Sequence, residues 1–399
     1  MPQRGMNEKM FPVWLPALLG LLSAVGPIST DMYLPAFPAI EAALGGRAGT
    51  AQVTLATWFL GLAIGQITQG TLSDRFGRRA PLIAGTALFT AASVGCALAP
   101  DLATLSAMRF LAAIGGSASM VIPRAIIRDL SDGHAAARIM SQLMLVMGVA
   151  PILAPTLGGF VLATLGWQAI FWLVAAYGAI CGVVVWRILP ETLPLPRRLH
   201  LGLAEQLARY RAVIVERSFL SHATIGGAAL FGLFGYLGGA PGVFIDRFHL
   251  TPAAFGLLFG ACAAGFIAGT QINPHVARRF GPGPVMRAAV RVYVAATLLL
   301  TAVAIANVGP WWLVAAPIVV SMMSMGFVTP NATVGALSRH AGHAGSASAL
   351  MGTMQFCLGA VSGLLVGVAA DGTAKPMALL MLLGAIGAAV ADLCRPRRQ

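Results

Sequence analysis

Twelve apolar runs follow one another along the chain, near residues 11–38, 51–72, 80–99, 102–125, 138–165, 168–188, 218–240, 253–275, 286–306, 310–335, 345–369 and 375–394. A helix rises about 1.5 Å per residue, so roughly 20 apolar residues cross the hydrocarbon core of a bilayer. Lipid offers no partner to a backbone N–H or C=O, and a helix lets each segment satisfy its own. The pattern therefore predicts an all-α membrane protein of twelve transmembrane helices. Composition excludes a water-soluble domain, because 58% of the residues are hydrophobic, 10% are charged and the mean hydropathy is +0.82. The net charge of +13 is scattered in short clusters at the ends of the runs. That placement speaks for topology in a lipid bilayer and against nucleic acid as a partner.

The densest cluster is GTLSDRFGRR, Gly70 to Arg79, in which Asp74, Arg75, Arg78 and Arg79 lie between two runs. Charge at the bilayer centre is costly, so this stretch reads as a tight turn at a membrane surface. Gly70 is expected to let two helices approach and Asp74 to complement the start of a helix. The arginines suit carboxylates at helix ends or anionic lipid heads, and a plain positive anchor is the alternative.

With the N-terminus in the cytoplasm, only Arg47, Arg247 and Lys375 fall on the outer side. Arg109 and Arg124 lie in a span, and the other basic residues, from Arg4 and Lys9 to Arg397 and Arg398, fall inside. This asymmetry sets the orientation, and an even number of spans returns the C-terminus to the cytoplasm. The first run is too long for a signal-peptide core, and no A-x-A site follows MPQRGMNEKM, so the first span is expected to be retained. The longest polar segment divides the chain into a six-helix half (1–189), a cytoplasmic linker (190–216) with an amphipathic piece around Glu205, Arg209 and Arg211, and a second six-helix half (217–399). The halves echo one another: Arg75-Phe76-Gly77 and Arg279-Phe280-Gly281 each follow the second span of a half. Pseudo-symmetric halves of this kind face each other across a cavity at the membrane midplane.

Of the thirteen acidic residues, Asp31, in the stretch STDMYLPAFPAI, is the only one placed well inside a span. An intramembrane carboxyl is a functional candidate, here for reversible proton binding, and an interfacial packing residue is the alternative. Arg109, in MRFLAAIGG, lies roughly 10 Å below the outer face, and Asp31 roughly 13 Å below it, so the two can pair. Snorkelling to the outer head groups is the other reading of Arg109. Arg124 and Arg128 read as interface anchors, although Arg124 follows Pro123 and can face the cavity. Gly115 and Gly116 remove bulk where a helix or substrate approaches.

In the fifth span, LVMGVAPILAPTLGG sets Ala150, Ala154 and Gly158 on one face, with Pro151, Pro155 and Gly159 beside them. Small residues allow close helix packing and the prolines bend the helix. Tyr33, Phe231, Phe234, Tyr236, Gln271, Asn273, Asn331 and Gln355 are the candidates for an apolar cavity with a few amides, suited to loosely specified amphipathic ligands. His340 and His343 fall in a turn and lack further ligands for a metal. Cys96, Cys181, Cys262, Cys357 and Cys394 form no CxxC pair and read as packing residues.

The GxLxDRxGRR turn resembles the signature between the second and third helices of the major facilitator superfamily of secondary transporters. Together with STDMYLPAFPAI, MRFLAAIGG, LVMGVAPILAPTLGG, GFVTPNATVGAL and GSASALMGTMQFCLGA, it resembles the Bcr/CflA branch of twelve-span drug:proton antiporters. The resemblance implies export of small amphipathic compounds in exchange for protons, in the bacterial inner membrane, by a monomer without cofactor. It gives the turn from Gly70 through Gly77 to Arg79 a gating role and the fifth span that of the antiporter helix. Ala150 and Ala154 depart from the usual glycines of that helix, and Ala113 stands where this branch commonly has glutamine. A metabolite carrier of the same fold is the alternative. An intramembrane enzyme is more distant, since the sequence holds no HExxH, GxSxG or P-loop pattern.

Overall fold

A computed structural model describes residues 14–47, 49–130, 133–198, 203–307, 309–339 and 344–395. The MPQRGMNEKM segment, His340, His343, Arg397 and Arg398 lie outside the described residues. In the first half, α1 (Trp14–Asp31) runs through a 3-10 turn (Leu34–Ala36) into α2 (Phe37–Ala43). It is followed by α3 (Ala51–Phe76), α4 (Arg79–Ala97), α5 (Leu102–Leu130), α6 (Gly133–Leu165) and α7 (Trp167–Ile188). The linker carries α8 (Leu203–Ile214). The second half consists of α9 (Arg217–Pro241), prolonged by a π-helical segment (Gly242–Arg247), then α10 (Pro252–Phe280), α11 (Pro282–Ala306), α12 (Trp311–Leu337), α13 (Ala344–Val368) and α14 (Lys375–Leu393). Eleven spans are long and apolar enough to cross a membrane, and α6 adds the apolar stretch Val149–Leu165. The two halves of six spans match the expected architecture.

Polar side chains fix where the helices begin. Ahead of α3, the Glu41 carboxylate accepts from the N–H groups of Gly49 and Ala51, both at 2.9 Å. Glu216 does the same for Ser218 (3.1 Å) and Phe219 (2.6 Å) ahead of α9. Thr251 caps α10, with Pro252 in the first turn, where a missing N–H costs nothing. Within the spans, hydroxyls such as Ser23, Thr86, Ser93 and Thr297 donate to the carbonyl four residues earlier and so need no partner from another helix.

Lipid tails are as apolar as leucine, so helices are held together by close packing at small residues rather than by escape from water. A Cβ on Gly61 of α3 would come within 2.5 Å of the Phe110 carbonyl and 2.7 Å of Ala113 on α5. The alanine at position 113, in place of the branch's glutamine, thus belongs to a seam with no room for a longer side chain. Gly115 packs against the backbone of Gly85 and Phe89 on α4, the close approach that the sequence suggested. Gly70, by contrast, has no such neighbour: a Cβ there would meet only Val121, at 3.9 Å.

The face that carries the α3–α4 turn, the linker and the α10–α11 turn is here termed the linker face. Away from it the halves interlock, α3 against α13 and α6 against α10. Gly49 abuts Gly367, Gln52 Nε2 donates to the Gly238 carbonyl at 3.0 Å, and the rings of Phe59 and Phe234 lie 4.0 Å apart. Glycine also sets the second seam, since a Cβ on Gly159 would lie 2.7 Å from the Pro252 carbonyl and one on Gly256 2.7 Å from Thr156. Further along α3 and α13, Thr353 Oγ1 donates to the Ala63 carbonyl at 3.0 Å and Gln66 lies beside Gly352. The linker helix docks on the second half, with Val213 buried beside Phe219, Ala336 and Leu350.

The two turns of the linker face repeat one backbone design. Gly77 ends α3 at φ +92° and Gly281 ends α10 at φ +83°. Arg75 lies over the Phe76 ring at 5.4 Å and Arg279 over the Phe280 ring at 5.2 Å.

Candidate functional site

Proline dictates the break in the first span. Pro35 cannot donate a backbone hydrogen bond and restricts the residue before it, so the α-helix stops at Asp31, turns through Leu34–Ala36 and restarts with Pro38 in its first turn. The carbonyl of Met32, at the break, faces Gly158 of α6, where any Cβ would collide with it. The antiporter helix of the sequence reading is therefore the helix that touches both partners: Gly158 admits the broken first span and Gly159 admits α10. Both Pro151 and Pro155 lie inside α6, which continues through them.

Asp31 is 6% exposed and makes no ion pair among the described residues. Asp392, equally buried, differs in having two cations, Arg287 at 3.3 Å and Arg395 at 3.1 Å. The 3-10 turn Leu34–Ala36 that follows Asp31 packs against α9 and α10, so this part of the first span lies at the junction of the halves. Tyr236 of α9 is buried and stacked on Phe259 at 5.6 Å.

The expected pairing of Asp31 with Arg109 is not present. Arg109, 1% exposed, donates through Nη1 to both the carbonyl and the hydroxyl of Ser29, each at 3.0 Å. Its guanidinium lies 4.2 Å from the ring centres of both Tyr33 and Trp58. Counting residues gave the depth but not the direction, because the chain leaves the helix at Asp31 and an aromatic box holds the cation. Nor does Arg109 snorkel, being among the most buried large side chains. Arg124 is half-buried, with Met147 Sδ 3.9 Å from Nη2.

The cavity candidates fall into separate groups. Tyr33 is packed inside the first half beside Phe37 and Phe171, and Phe231 inside the second beside Val366 and Leu380. Phe234 lies at the junction, against Phe59 and, at 6.2 Å, Phe356. Asn273 and Asn331 satisfy each other, Asn331 Nδ2 donating to Asn273 Oδ1 at 2.7 Å. Gln355 is half-buried next to Gly226, and Gln271 is exposed. Phe59 and Phe356, which the sequence reading passed over, complete the aromatic cluster where the halves meet. Only a match between two distant spans could have marked them.

At the linker face the turn is a charge cluster centred on Arg78, which is 5% exposed. It bonds Asp74 at 2.6 Å and, from α5, Asp129 at 2.6 Å, with Ser73 at 2.9 Å. Asp74 thus sits in the last turn of α3 rather than at a helix start. The start of α4 is capped instead by Glu191 of the linker, which accepts from the N–H groups of Arg78 (2.8 Å) and Arg79 (3.2 Å). Burial pushes the Glu191 carboxyl up, but the N–H groups of Leu193, Arg78 and Arg79 and the Arg198 guanidinium outweigh it, and the pKa settles below the usual glutamate value. A Cβ on Gly77 would lie 2.7 Å from the Glu191 carboxyl carbon, so glycine is needed there for space as well as for φ. Arg75 stays exposed and Arg79 donates to the Trp186 carbonyl at 2.5 Å.

Two interlocking six-span halves with a charged turn after the second span define a secondary transporter, and residues 19–364 match the Major Facilitator Superfamily. The chain belongs to that family. It is similar to the uncharacterised MFS-type transporter YdgK of Bacillus subtilis, at 35% identity over 376 residues and 92% of each chain. It is also similar to the bicyclomycin resistance protein homolog of Haemophilus influenzae, at 27% identity over 94% of each chain. The chloramphenicol resistance protein of Pseudomonas aeruginosa is 29% identical over 86% of this chain and 80% of its own. Among solved structures, a D-xylose–proton symporter superposes with a TM-score of 0.72 at 18% identity, covering 95% of each chain. A bacterial homolog of the human lysosomal transporter Spinster gives 0.71 at 17%, covering 98% of this chain and 97% of that one. The chain is accordingly a multi-pass membrane transporter of the drug-resistance branch that its motifs resemble, and not an enzyme.

Proposed function

We propose that this transporter exports small amphipathic compounds in exchange for protons, and that Asp31 is the residue that carries the proton. The observation that carries the reading is a buried carboxyl with no ion pair among the described residues, at the break of a spanning helix where the two halves meet. Negative charge is costly in that place, so gain and loss of a proton changes the stability of the junction and biases which face is closed. Arg109 acts as a positioning residue: by holding Ser29 it fixes the strand of backbone from which Asp31 projects.

Two six-span halves that meet along α3–α13 and α6–α10 support alternating access. The excess of arginine on the linker face favours placing that face, with both termini, in the cytoplasm of the inner membrane. On that orientation the Asp74–Arg78–Asp129 cluster lies at the cytoplasmic face and serves the inner gate. The aromatic cluster of Phe59, Phe234 and Phe356, with Gln355 and Tyr236, offers an apolar surface with few polar groups. Relatives named for bicyclomycin and chloramphenicol resistance support compounds of that size and polarity.

Purified protein in liposomes tests the reading with chloramphenicol and bicyclomycin as probes. An imposed pH gradient, acidic inside, should drive uptake of at least one probe into the liposomes without ATP, and Asp31→Asn should abolish the gradient dependence. Gradient-independent exchange by the wild type would leave a metabolite carrier as the better account.

A further inference from the structure

We infer that the second half holds a phospholipid with an anionic head group in a cleft between α10 and α11, floored by α12. The cleft has a volume of about 610 Å³, and Val276 and Phe280 of α10, Ala288 and Val292 of α11 and Val319 and Met323 of α12 are among its walls. It begins beside the α10–α11 turn at the linker face. From Pro284 to Val292 it runs eight residues along α11, roughly 12 Å, close to the roughly 15 Å of one hydrocarbon leaflet. Ser324 supplies the one hydroxyl of the wall, and it is turned back onto the Val320 carbonyl at 2.8 Å. A site for a drug-like ligand carries a few aimed polar groups, and this wall has none to aim. An acyl chain asks for nothing else.

Charge at the rim selects the head group. Arg279 precedes the wall residue Phe280 at the end of α10, with its guanidinium over that ring at 5.2 Å, and Arg291 precedes the wall residue Val292 on α11, with Arg278 adjacent to Arg279. All three are exposed, and none makes an ion pair or hydrogen bond among the described residues. Counter-ions are scarce around them: between Asp246 and Asp371 the sequence contains no acidic residue, and Asp392 is already taken by Arg287 and Arg395. Arg291 lies nine residues into α11, roughly 13 Å from its start, too deep for its charge to rest there except by reaching up along the rim. A phosphate at the mouth of the cleft meets Arg279 and Arg291 together, while its chain fills the groove below. A second copy of this chain is a poor occupant, because a two-fold contact would bring two sets of unpaired arginines together.

Native mass spectrometry of the purified transporter, equilibrated with equal amounts of phosphatidylglycerol and phosphatidylcholine, tests the site. The wild type should retain phosphatidylglycerol in preference. The double change at the rim, Arg279→Gln with Arg291→Gln, should cut that preference about 25-fold, each arginine near the surface being worth about fivefold. Ala288→Trp, on the exposed wall, should expel the lipid while the rim stays intact, and Val292→Phe is the substitute should that variant fail to fold. Arg187→Gln, at the linker end of α7 in the other half, should change nothing. Equal retention of both lipids by the wild type overturns the inference, as does undiminished preference in the rim variant. Dimers that form through this face, or a cleft filled by chloramphenicol in place of lipid, overturn it as well.

Discussion

Gly77 holds φ at +92° with the Glu191 carboxylate against the space where a Cβ would be, whereas Gly281 holds φ at +83° with only Pro284 nearby, at 3.6 Å. Backbone strain alone costs about 1–2 kcal/mol for an L residue in that region. Gly281→Ala should therefore lower stability by about that amount, and Gly77→Ala by clearly more, read as thermal melting of the purified protein. Equal losses at the two turns would show that the carboxylate yields freely. Glu191 allows a second test, through pH. Its pKa in the folded protein lies below the usual glutamate value, so its stabilising contribution is complete above that value and is lost as the pH falls through the lower, folded one. Acid should lower the melting temperature of the wild type more steeply than that of Glu191→Gln, and parallel curves would remove Glu191 as the anchor of the turn. Among single residues, Asp31 was legible because a carboxyl inside an apolar run is conspicuous. The partner of Arg109 was not, because depth along a helix carries no information about azimuth, and Ser29, Tyr33 and Trp58 are ordinary residues until folding brings them together.

Elements were legible where chemistry interrupts a period. The small residues of α6 announced a tight seam, whereas the first span, read as one run over 11–38, is broken at Pro35 and Pro38. What the seam packs against was hidden, since Gly256 and Gly260 of α10 are two among many glycines and pairing between helices far apart in sequence leaves no local trace. The same holds for Glu191, which reads as a linker residue and acts as the cap of α4. Gly159 gives this scale its test. Its replacement by valine would drive a side chain into the Pro252 carbonyl and push α6 from α10. Spin labels at the exposed positions Leu165 and Leu257 should then report a growing population of longer distances. Distances identical to those of the parent labelled protein would mean that the seam does not depend on glycine.

In the whole molecule, close packing joins the halves along α3–α13 and α6–α10, and Asp31, a buried carboxyl with no ion pair among the described residues, lies beside the break that meets the second half. On the proposed function, proton binding there alters the junction directly, and the conformational change and the chemistry share one location. The proton count in a weakly buffered solution, taken when an exported drug is added to the purified protein, bears on this most directly. The account predicts that the wild type releases protons on binding the drug and that Asp31→Asn binds the drug with no release. Equal proton release by the two proteins would contradict it and move the coupling residue away from Asp31.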